Sequence, residues 1–182
     1  MKTYSHILAF DPSGNFEEGK GTTGCCIFSA ETGTILEIRN IHAAEYKTKE
    51  DYWQAHIDYT EYTVTKYKPR NLILVIEDFM LDPKRALQQS HSRMETPKLI
   101  GIIQHWCSVK NIPYAMQRPT DVKKRWADHI LEYKGFIQRY KNTFILPGEL
   151  KSVSRHCKDA IRHAVHYYYF KNKEIMNDRK RR

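Results

Sequence analysis

Three acidic side chains, far apart along the chain, stand in strongly apolar or strongly basic surroundings. Asp11 follows the apolar residues 7–10, Glu77 ends the run LILVIE, and Asp159 lies in the segment RHCKDAIRHAV. Burying a carboxylate is costly unless it is paired or binds a metal, and glutamate is depleted from strands. Carboxylate oxygens are the ligands that Mg²⁺ prefers, so three convergent acids would form a divalent-metal site.

Each acid also has an ordinary structural explanation when it is considered alone. Asp11 begins the turn sequence DPSG, and its side chain could cap that turn. Glu77 and Asp78 could both reach solvent at a strand end, and Asp159 could pair with basic neighbours on a helix. Only the joint placement favours chemistry, because two Mg²⁺ ions ~4 Å apart would activate a water and stabilise the leaving oxygen of a phosphodiester.

Periodicity indicates which of these side chains share a face. Successive residues of a strand point to opposite faces, so Glu77 and Asp78 cannot both face one site. On a helix, His156, Asp159 and His163 have the spacing i, i+3 and i+7 and lie along one face. That face is compatible with a metal site and equally with an ordinary salt-bridged helix surface.

The hydrophobic pattern predicts an α/β domain in which a mixed five-stranded sheet is flanked by helices. Three strands in a row, expected to form an antiparallel meander, are followed by strand–helix alternation. The predicted strands are residues 4–10, 22–29, 34–40, 72–76 and 112–116. The predicted helices are residues 49–67, a helix capped by Thr96, residues 119–126 and residues 155–170, whereas residues 134–150 have no assignment.

The length of 182 residues predicts one domain, residues 1–172, with a basic tail at residues 173–182. Lys and Arg outnumber Asp and Glu by 30 to 21, and the net charge of +9 favours a polyanionic partner such as nucleic acid. No apolar run reaches the ~18 residues of a membrane span, and we expect no signal peptide. The four cysteines form no CxxC pair, which is typical of free thiols in a reducing compartment such as the cytoplasm.

Several motifs resemble those of the RuvC family of Holliday-junction resolvases, within the ribonuclease-H-like superfamily. ILAFDPSG, with the later GTTGCCIF, resembles the family's opening strand, its acid and the turn into the second strand. VIEDFM resembles the fourth-strand motif, PTDVKK the basic segment after the fifth strand, and HCKDA the closing helix. The resemblance covers most of the chain and is nearer to the divergent resolvases of bacteriophages than to the cellular bacterial enzyme.

The resemblance implies a ribonuclease-H-like fold in which Asp11, Glu77 and Asp159 are catalytic, metal-binding carboxylates. His156 would take the fourth catalytic position, which in the family is Asp or His. The implied cofactor is Mg²⁺, with two ions in each active site and with Mn²⁺ as a substitute.

The resemblance also implies a DNA interface. Lys123 and Lys124 fall where the family carries a lysine that contacts DNA or supports catalysis. Phe79 lies near the aromatic that family members place against bases at the junction, although it is one residue closer to the acid. A core position for Phe79 is therefore an equally open interpretation.

The activity implied by the resemblance is that of a crossover junction endodeoxyribonuclease. Such an enzyme is Mg²⁺-dependent and structure-selective, and it resolves Holliday junctions and related branched DNA by paired symmetric nicks. The family is dimeric, so a homodimer is implied, with no nucleotide cofactor and no membrane partner. For a phage-encoded chain the expected compartment is the cytoplasm of the host cell.

Three other interpretations stay open at this point. A related nuclease of the same superfamily would act on RNA–DNA hybrids or process ribosomal RNA. A non-catalytic module would bind branched DNA through its basic face, although carboxylates near DNA repel phosphate unless a cation intervenes. DPSG followed by GTTG also resembles the phosphate loop of actin-like ATPases, but those proteins need two such domains, and this length supplies one.

Overall fold

Five strands form one mixed sheet within the described part of the chain, which comprises residues 4–67, 71–80 and 94–172 of a computed structural model. They are β1 (His6–Asp11), β2 (Thr22–Ser29), β3 (Thr34–His42), β4 (Leu72–Glu77) and β5 (Tyr114–Gln117). Their order is β3-β2-β1-β4-β5, with β1, β2 and β3 antiparallel and with β1, β4 and β5 parallel. The predicted meander and the strand–helix alternation after it are confirmed.

Helices cover both faces of this sheet. Those described are α1 (Lys49–Tyr67), α2 (Glu95–Val109), α3 (Pro119–Arg125), α4 (Asp128–Tyr133) and α5 (Arg155–Tyr167). Helices α1 and α2 pack on one face, and α3, α4 and α5 pack on the other. The predicted basic tail, residues 173–182, lies outside the described residues.

The sequence between α4 and α5, where no assignment was possible, contains a separate two-stranded hairpin. Its strands are β6 (Gln138–Tyr140) and β7 (Thr143–Ile145). Each strand has only three residues, which is too short for the alternation of apolar and polar residues to reveal it.

The core is divided by the alternation of the central strand. In β1, Leu8 and Phe10 face α1 and α2, whereas Ile7 and Ala9 face α5, and all four are fully buried. Burying side chains as large as Leu8, Phe10 and Ile7 is worth roughly 1.5–3 kcal/mol each, so β1 is anchored from both sides. The sheet therefore has a fixed position beneath α5, the helix that carries Asp159.

Three predicted boundaries near the site need correction. Strands β1 and β4 each run one residue further than predicted, because the ladder continues through Asp11 and Glu77. Helix α2 begins at Glu95 after Met94 in the left-handed conformation, so Thr96 is not its cap. Instead the Thr96 hydroxyl accepts a hydrogen bond from the backbone N–H of Gly14 and ties the loop after β1 to α2.

Two further predictions from composition concern the cysteines and the membrane. All four cysteines are free and buried, and Cys25 and Cys26 face opposite sides of the sheet, as strand alternation predicts. Within the described ranges, no helix combines the length and the apolar character needed to cross a membrane.

Candidate active site

Asp11 and Glu77 end two neighbouring parallel strands at the same edge of the sheet. In the β1–β4 register, Ala9 pairs with Val75, and each acid lies two residues beyond. Ala9 and Val75 both belong to the apolar cluster beneath α5. Because side chains repeat with a period of two along a strand, both carboxylates point towards α5.

Helix α5 reaches this edge because β2 has a glycine there. Gly24 pairs with Asp11 in the β1–β2 register. A Cβ atom at Gly24 would lie 2.1 Å from the carbonyl carbon and oxygen of His156, closer than any real contact. The absence of a side chain at Gly24 therefore lets the first turn of α5 touch the sheet beside Asp11.

The first turn of α5 is also fastened to β3. The Ser154 side chain accepts a hydrogen bond from the backbone N–H of Cys157 at 3.0 Å, which is a regular N-cap. The same hydroxyl donates to Oδ1 of Asn40 at 2.7 Å. The cap and the glycine contact together fix the position from which α5 presents its polar face.

That face provides one histidine for each strand-end acid. Nδ1 of His156 donates a hydrogen bond to Oδ2 of Asp11 at 2.8 Å. Nε2 of His163, two turns further along α5, donates to Oε2 of Glu77 at 2.7 Å. The other ring nitrogen of His163 lies 2.8 Å from Oε1 of Gln117, the last residue of β5.

The third acid, Asp159, lies between these histidines and is held by two cations. Nζ of Lys123, on α3, lies 3.2 Å from Oδ2 of Asp159 and 3.1 Å from Oε1 of Glu77. The Arg162 guanidinium binds the other oxygen of Asp159 and also Asp128 at the start of α4. One ammonium group thus bridges two of the three predicted ligands.

Comparison with known proteins identifies the architecture. No family model matches the chain, and no curated protein sequence matches it. The structure of Thermus thermophilus RuvC in complex with a Holliday junction substrate superposes with a TM-score of 0.61 at 12% identity, covering 91% of this chain and 94% of that chain. Another Thermus thermophilus RuvC structure gives a TM-score of 0.61 at 13% identity over 90% and 94% of the two chains.

The chain has the RuvC fold. Its mixed sheet with flanking helices is the ribonuclease-H-like arrangement that the sequence predicts. At 12–13% identity the likeness concerns the fold alone, so chemistry has to be inferred from the side chains at the sheet edge.

Electrostatics at the edge of this RuvC fold differ between the two strand-end acids. Burial raises the pKa of the Asp11 carboxyl above its ordinary value; the hydrogen bond from His156 opposes this, and the charges of Glu77 and Asp159 add to it. Burial also raises the pKa of Glu77, but His163 and Lys123 outweigh it, and the net shift is downward. Of the two strand-end acids, Asp11 is therefore the one whose negative charge is less compensated.

The basic partners of these acids, His156 and Lys123, both have raised pKa values. The hydrogen bond to Asp11 raises the pKa of His156, and the charges of Asp11 and Asp159 support this against burial. Burial lowers the pKa of Lys123, but the charges of Glu77 and Asp159 more than reverse it, so the ammonium form is stabilised. The site thus favours positive charge at two points between its carboxylates.

This chemistry suits a divalent cation. Among the described residues no group of three or more metal-ligating side chains already stands together. The Lys123 ammonium, however, bridges Glu77 and Asp159 at a position that a metal cation would suit, and burial together with two neighbouring carboxylates raises the pKa of Asp11. The oxygen-only donor set of Asp11, Glu77 and Asp159 is the set that Mg²⁺ prefers.

A small cleft opens beside Asp11 and Glu77, and residues of α2 and α3 also line it. Its volume is about 140 Å³, and Phe79 and Ile100 contribute apolar walls. Phe79 is half-buried and packs against the cluster under α1 and α2, and its contact with DNA bases stays a prediction. Lys124 is exposed on α3 and makes no hydrogen bond or ion pair with any described residue, unlike Lys123.

Four residues at the site escaped the sequence prediction: Gly24, Gln117, Arg162 and His163. The spacing of His163 from His156 and Asp159 placed it on the correct helix face, which was the available signal. Gln117 and Gly24 lie in strands distant in sequence, and no local pattern connects them to the acids. Arg162 was visible only as one of several bases that could pair with Asp159 on the helix.

Proposed function

We propose that the protein is a Mg²⁺-dependent endodeoxyribonuclease that resolves four-way junctions and related branched DNA. The observation that supports this best is the placement of Asp11, Glu77 and Asp159 at one edge of a RuvC fold, where one ammonium group bridges Glu77 and Asp159. The net charge of +9 favours a polyanionic substrate. Carboxylates in a protein that attracts DNA require a cation to offset their repulsion of phosphate.

In this proposal Asp11, Glu77 and Asp159 hold two Mg²⁺ ions, for which Mn²⁺ substitutes. Bound Mg²⁺ supplies the charge that makes a water nucleophilic and stabilises the leaving oxygen of the phosphodiester. Hydrolysis then breaks the bond between phosphorus and a sugar oxygen and adds water across it. The cleavage would be structure-selective and would leave nicks in opposed strands.

His156 has the geometry of a proton carrier. Its Nδ1 donates to Asp11, so Nε2 on the other side of the ring is the atom that exchanges a proton with water or with the leaving oxygen. The side chain is 41% exposed, which gives it access to solvent. Because the pKa of His156 is raised, its ring stays protonated at a higher pH than that of an ordinary histidine, as a general acid requires.

Lys123 would change partners during the reaction. Its ammonium group bridges Glu77 and Asp159, and its side chain is 39% exposed. When these carboxylates take other partners, the flexible lysine stem lets the ammonium turn towards a phosphate oxygen. Lys124, exposed beside it, and Phe79, at the cleft, would contact the flanking DNA backbone and bases.

A homodimer would complete the function, because a two-fold protein matches the near-two-fold symmetry of a four-way junction. Two sites related by this symmetry would nick opposed strands at equivalent positions. Analytical ultracentrifugation of the protein with and without junction DNA measures this directly, and we expect two chains bound to each junction.

Cleavage assays test the activity. The wild-type protein should cut a four-way junction in Mg²⁺ or Mn²⁺, cut a flap more weakly, and leave duplex DNA and an RNA–DNA hybrid intact. Asp11→Asn, Glu77→Gln and Asp159→Asn should each bind the junction in an electrophoretic shift and lose cleavage by at least about a thousandfold. Lys110→Gln, at the far end of the sheet, serves as the control that should cut normally.

Each alternative outcome points to a different function. Preferential cutting of the hybrid would assign the protein to the RNA-directed nucleases of the superfamily. Binding without metal-dependent cleavage would assign it to the non-catalytic junction-binding proteins. Normal cleavage by all three carboxylate variants would show that the chemistry lies elsewhere in the chain.

A further inference from the structure

Two exposed tyrosines lie next to the contact that joins the hairpin between α4 and α5 to the end of α4. Oε1 of Glu132 accepts a hydrogen bond from the backbone N–H of Arg139 at 3.1 Å, and Arg139 Nε lies 3.9 Å from its other oxygen. Tyr133 is the residue after Glu132, and Tyr140 is the residue after Arg139. The end of α4 and strand β6 are therefore held together, and Tyr133 and Tyr140 each lie one residue from this contact.

These tyrosines are displayed to solvent instead of packing. Tyr133 is 84% exposed and Tyr140 is 42% exposed. The ammonium groups of Lys134 and Lys141 lie 5.8 and 5.4 Å from the centres of the adjacent tyrosine rings. Aromatic rings paired with cations on an open surface are the usual components of a platform for nucleic-acid bases.

The charge of the segment is strongly positive. Residues 134–158 contain six Lys or Arg side chains and a single acid, Glu149. Two of the cations are occupied, because Arg139 pairs with Glu132 and Lys158 with Asp128. Within the described ranges the other four have no carboxylate at ion-pair distance, and they are Lys134, Lys141, Lys151 and Arg155.

The segment is nevertheless a rigid platform. Phe136, Ile137 and Leu146 are buried in the cluster beneath α5, at most 6% exposed, and Ile145 of β7 is 5% exposed. The backbone N–H of Val153 donates to the carbonyl oxygen of Phe144 at 2.7 Å, which closes the segment against β7. The exposed tyrosines and lysines therefore stand on a fixed base, so little ordering entropy opposes binding.

The hairpin and α4 are linked to the carboxylate site through side chains of α5. Asp128, at the start of α4, binds both Lys158 and Arg162, and Arg162 in turn binds Asp159. The Lys158 ammonium also lies 4.5 Å from the ring centre of Phe144 in β7. A DNA strand bound on the hairpin would therefore pass next to the first turns of α5.

We propose that Tyr133, Lys134, Tyr140 and Lys141, here called the hairpin platform, bind the DNA strand that flanks the cut phosphate. Unpaired bases near the branch point stack on the two tyrosines, and the two lysines neutralise their phosphates. This inference rests on the proposed function, since it names the substrate region that reaches the site. An acidic protein would match the lysines alone, whereas stacked bases use the tyrosines as well.

Binding of fluorescent DNA, followed by anisotropy in EDTA, tests the platform in the Asp11→Asn background, where the DNA stays intact. Tyr133→Ala/Tyr140→Ala should weaken binding to single-stranded DNA and to a four-way junction by at least about tenfold, with little change for paired duplex. Lys134→Gln/Lys141→Gln should weaken binding to every DNA and lower the salt dependence by about two ions.

The matched control is Tyr114→Ala/Lys110→Gln, an exposed tyrosine and lysine at the opposite edge of the sheet. It should bind all DNAs as the Asp11→Asn parent does. Thermal melting of each variant checks the fold, which these exposed substitutions should leave intact. 2-Aminopurine placed in the flanking strand should lose fluorescence on binding the parent and keep it with the tyrosine variant.

The results separate the platform from the proposed activity. Unchanged single-strand and junction affinity in the tyrosine variant, or an equal loss in the control, overturns the platform whatever the protein cleaves. Loss of affinity with duplex and junction alike would show contact with phosphates alone and would also overturn the stacking. A protein that cuts no DNA but behaves as expected here would retain the platform and lose the nuclease assignment.

Discussion

The two histidine–carboxylate pairs on α5 have similar geometry and different surroundings. His156 and Asp11 lie 2.8 Å apart at the open end of the site, where the histidine side chain is 41% exposed. His163 and Glu77 lie 2.7 Å apart where the histidine is fully buried and is also in contact with Gln117. The same two residue types therefore form one accessible pair and one enclosed pair, seven residues apart on one helix.

The difference teaches that hydrogen-bond distance does not determine how an acid is charged. Asp11 keeps a net raised pKa in spite of its histidine, because burial and two neighbouring carboxylates act against ionisation. Glu77 has a net lowered pKa because Lys123 adds its charge to the hydrogen bond from His163. We interpret the Glu77 pair as the fixed support of the site and the Asp11 pair as its reactive end.

The largest expected contrast concerns the two histidines. His163→Ala removes the hydrogen-bond partner that Glu77 and Gln117 share and opens a cavity, so it should cost about 2–4 kcal/mol of unfolding free energy. His156→Ala, at the open end, should cost less than about 1 kcal/mol. Urea unfolding at pH 7 in EDTA measures both, with the exposed His129→Ala as a neutral control. Equal losses would contradict the division into fixed and open pairs.

A second prediction separates the pairs by moving one end of the helix. Gly24→Ala places a methyl group against the backbone of His156 and should cost about 1–3 kcal/mol. It should abolish the raised pKa of His156, measured by NMR titration of the imidazole, and leave the His163 signal unchanged. Gly101→Ala, where a Cβ meets open space in α2, is the matched control and should be neutral or stabilising. An undisturbed His156 titration would contradict the close approach.

A third prediction gives the two acids opposite signs. Because the pKa of Asp11 is raised in the folded state, ionisation of this carboxyl lowers the stability of the protein as the pH rises above 3.8. Asp11→Asn should therefore stabilise the protein at pH 7. Because the pKa of Glu77 is lowered in the folded state, the ionised carboxylate stabilises the protein above pH 4.5. This contribution is lost as the pH falls through the pKa that Glu77 has in the folded protein. Glu77→Gln should therefore destabilise the protein at pH 7. The melting temperature should rise for Asp11→Asn and fall for Glu77→Gln, and in a chain of this size about 1 kcal/mol corresponds to ~2–4 °C.

Thermal melts between pH 3.5 and 7.5 in EDTA provide the measurement for both variants. The difference between Asp11→Asn and wild type should grow with pH, and the deficit of Glu77→Gln should shrink as the pH falls. Shifts of the same sign at pH 7 would rule out the electrostatic contrast between the two strand ends.

The smallest expected effect concerns the ammonium group that supports the Glu77 end. Lys123→Gln removes a positive charge from Glu77 and Asp159, so the free protein should bind Mg²⁺ or Mn²⁺ about three- to tenfold more tightly. Isothermal titration in the absence of DNA measures this. Lys124→Gln, the exposed neighbour, should leave the affinity unchanged, and weaker metal binding by Lys123→Gln would argue against a bridging role.

The sequence by itself determined the elements and the acid positions on them. A strand that leads to Asp11, a second that leads to Glu77 and a helix face with His156 and Asp159 all follow from local periodicity, although both strands run one residue further than predicted. Such patterns are legible because a period of two or of 3.6 is written in consecutive residues. The mixed sheet with flanking helices followed from the order of these elements.

Only the tertiary structure decided how those elements meet. The contact of Gly24 with α5, the join of His163 to Gln117 and the bridge from Lys123 to two acids all link residues far apart in sequence. The hairpin platform likewise depends on packing beneath α5, because its three-residue strands carry no readable period. Close approach and ion pairing depend on the distance between packed elements, a quantity that no local pattern of residues contains.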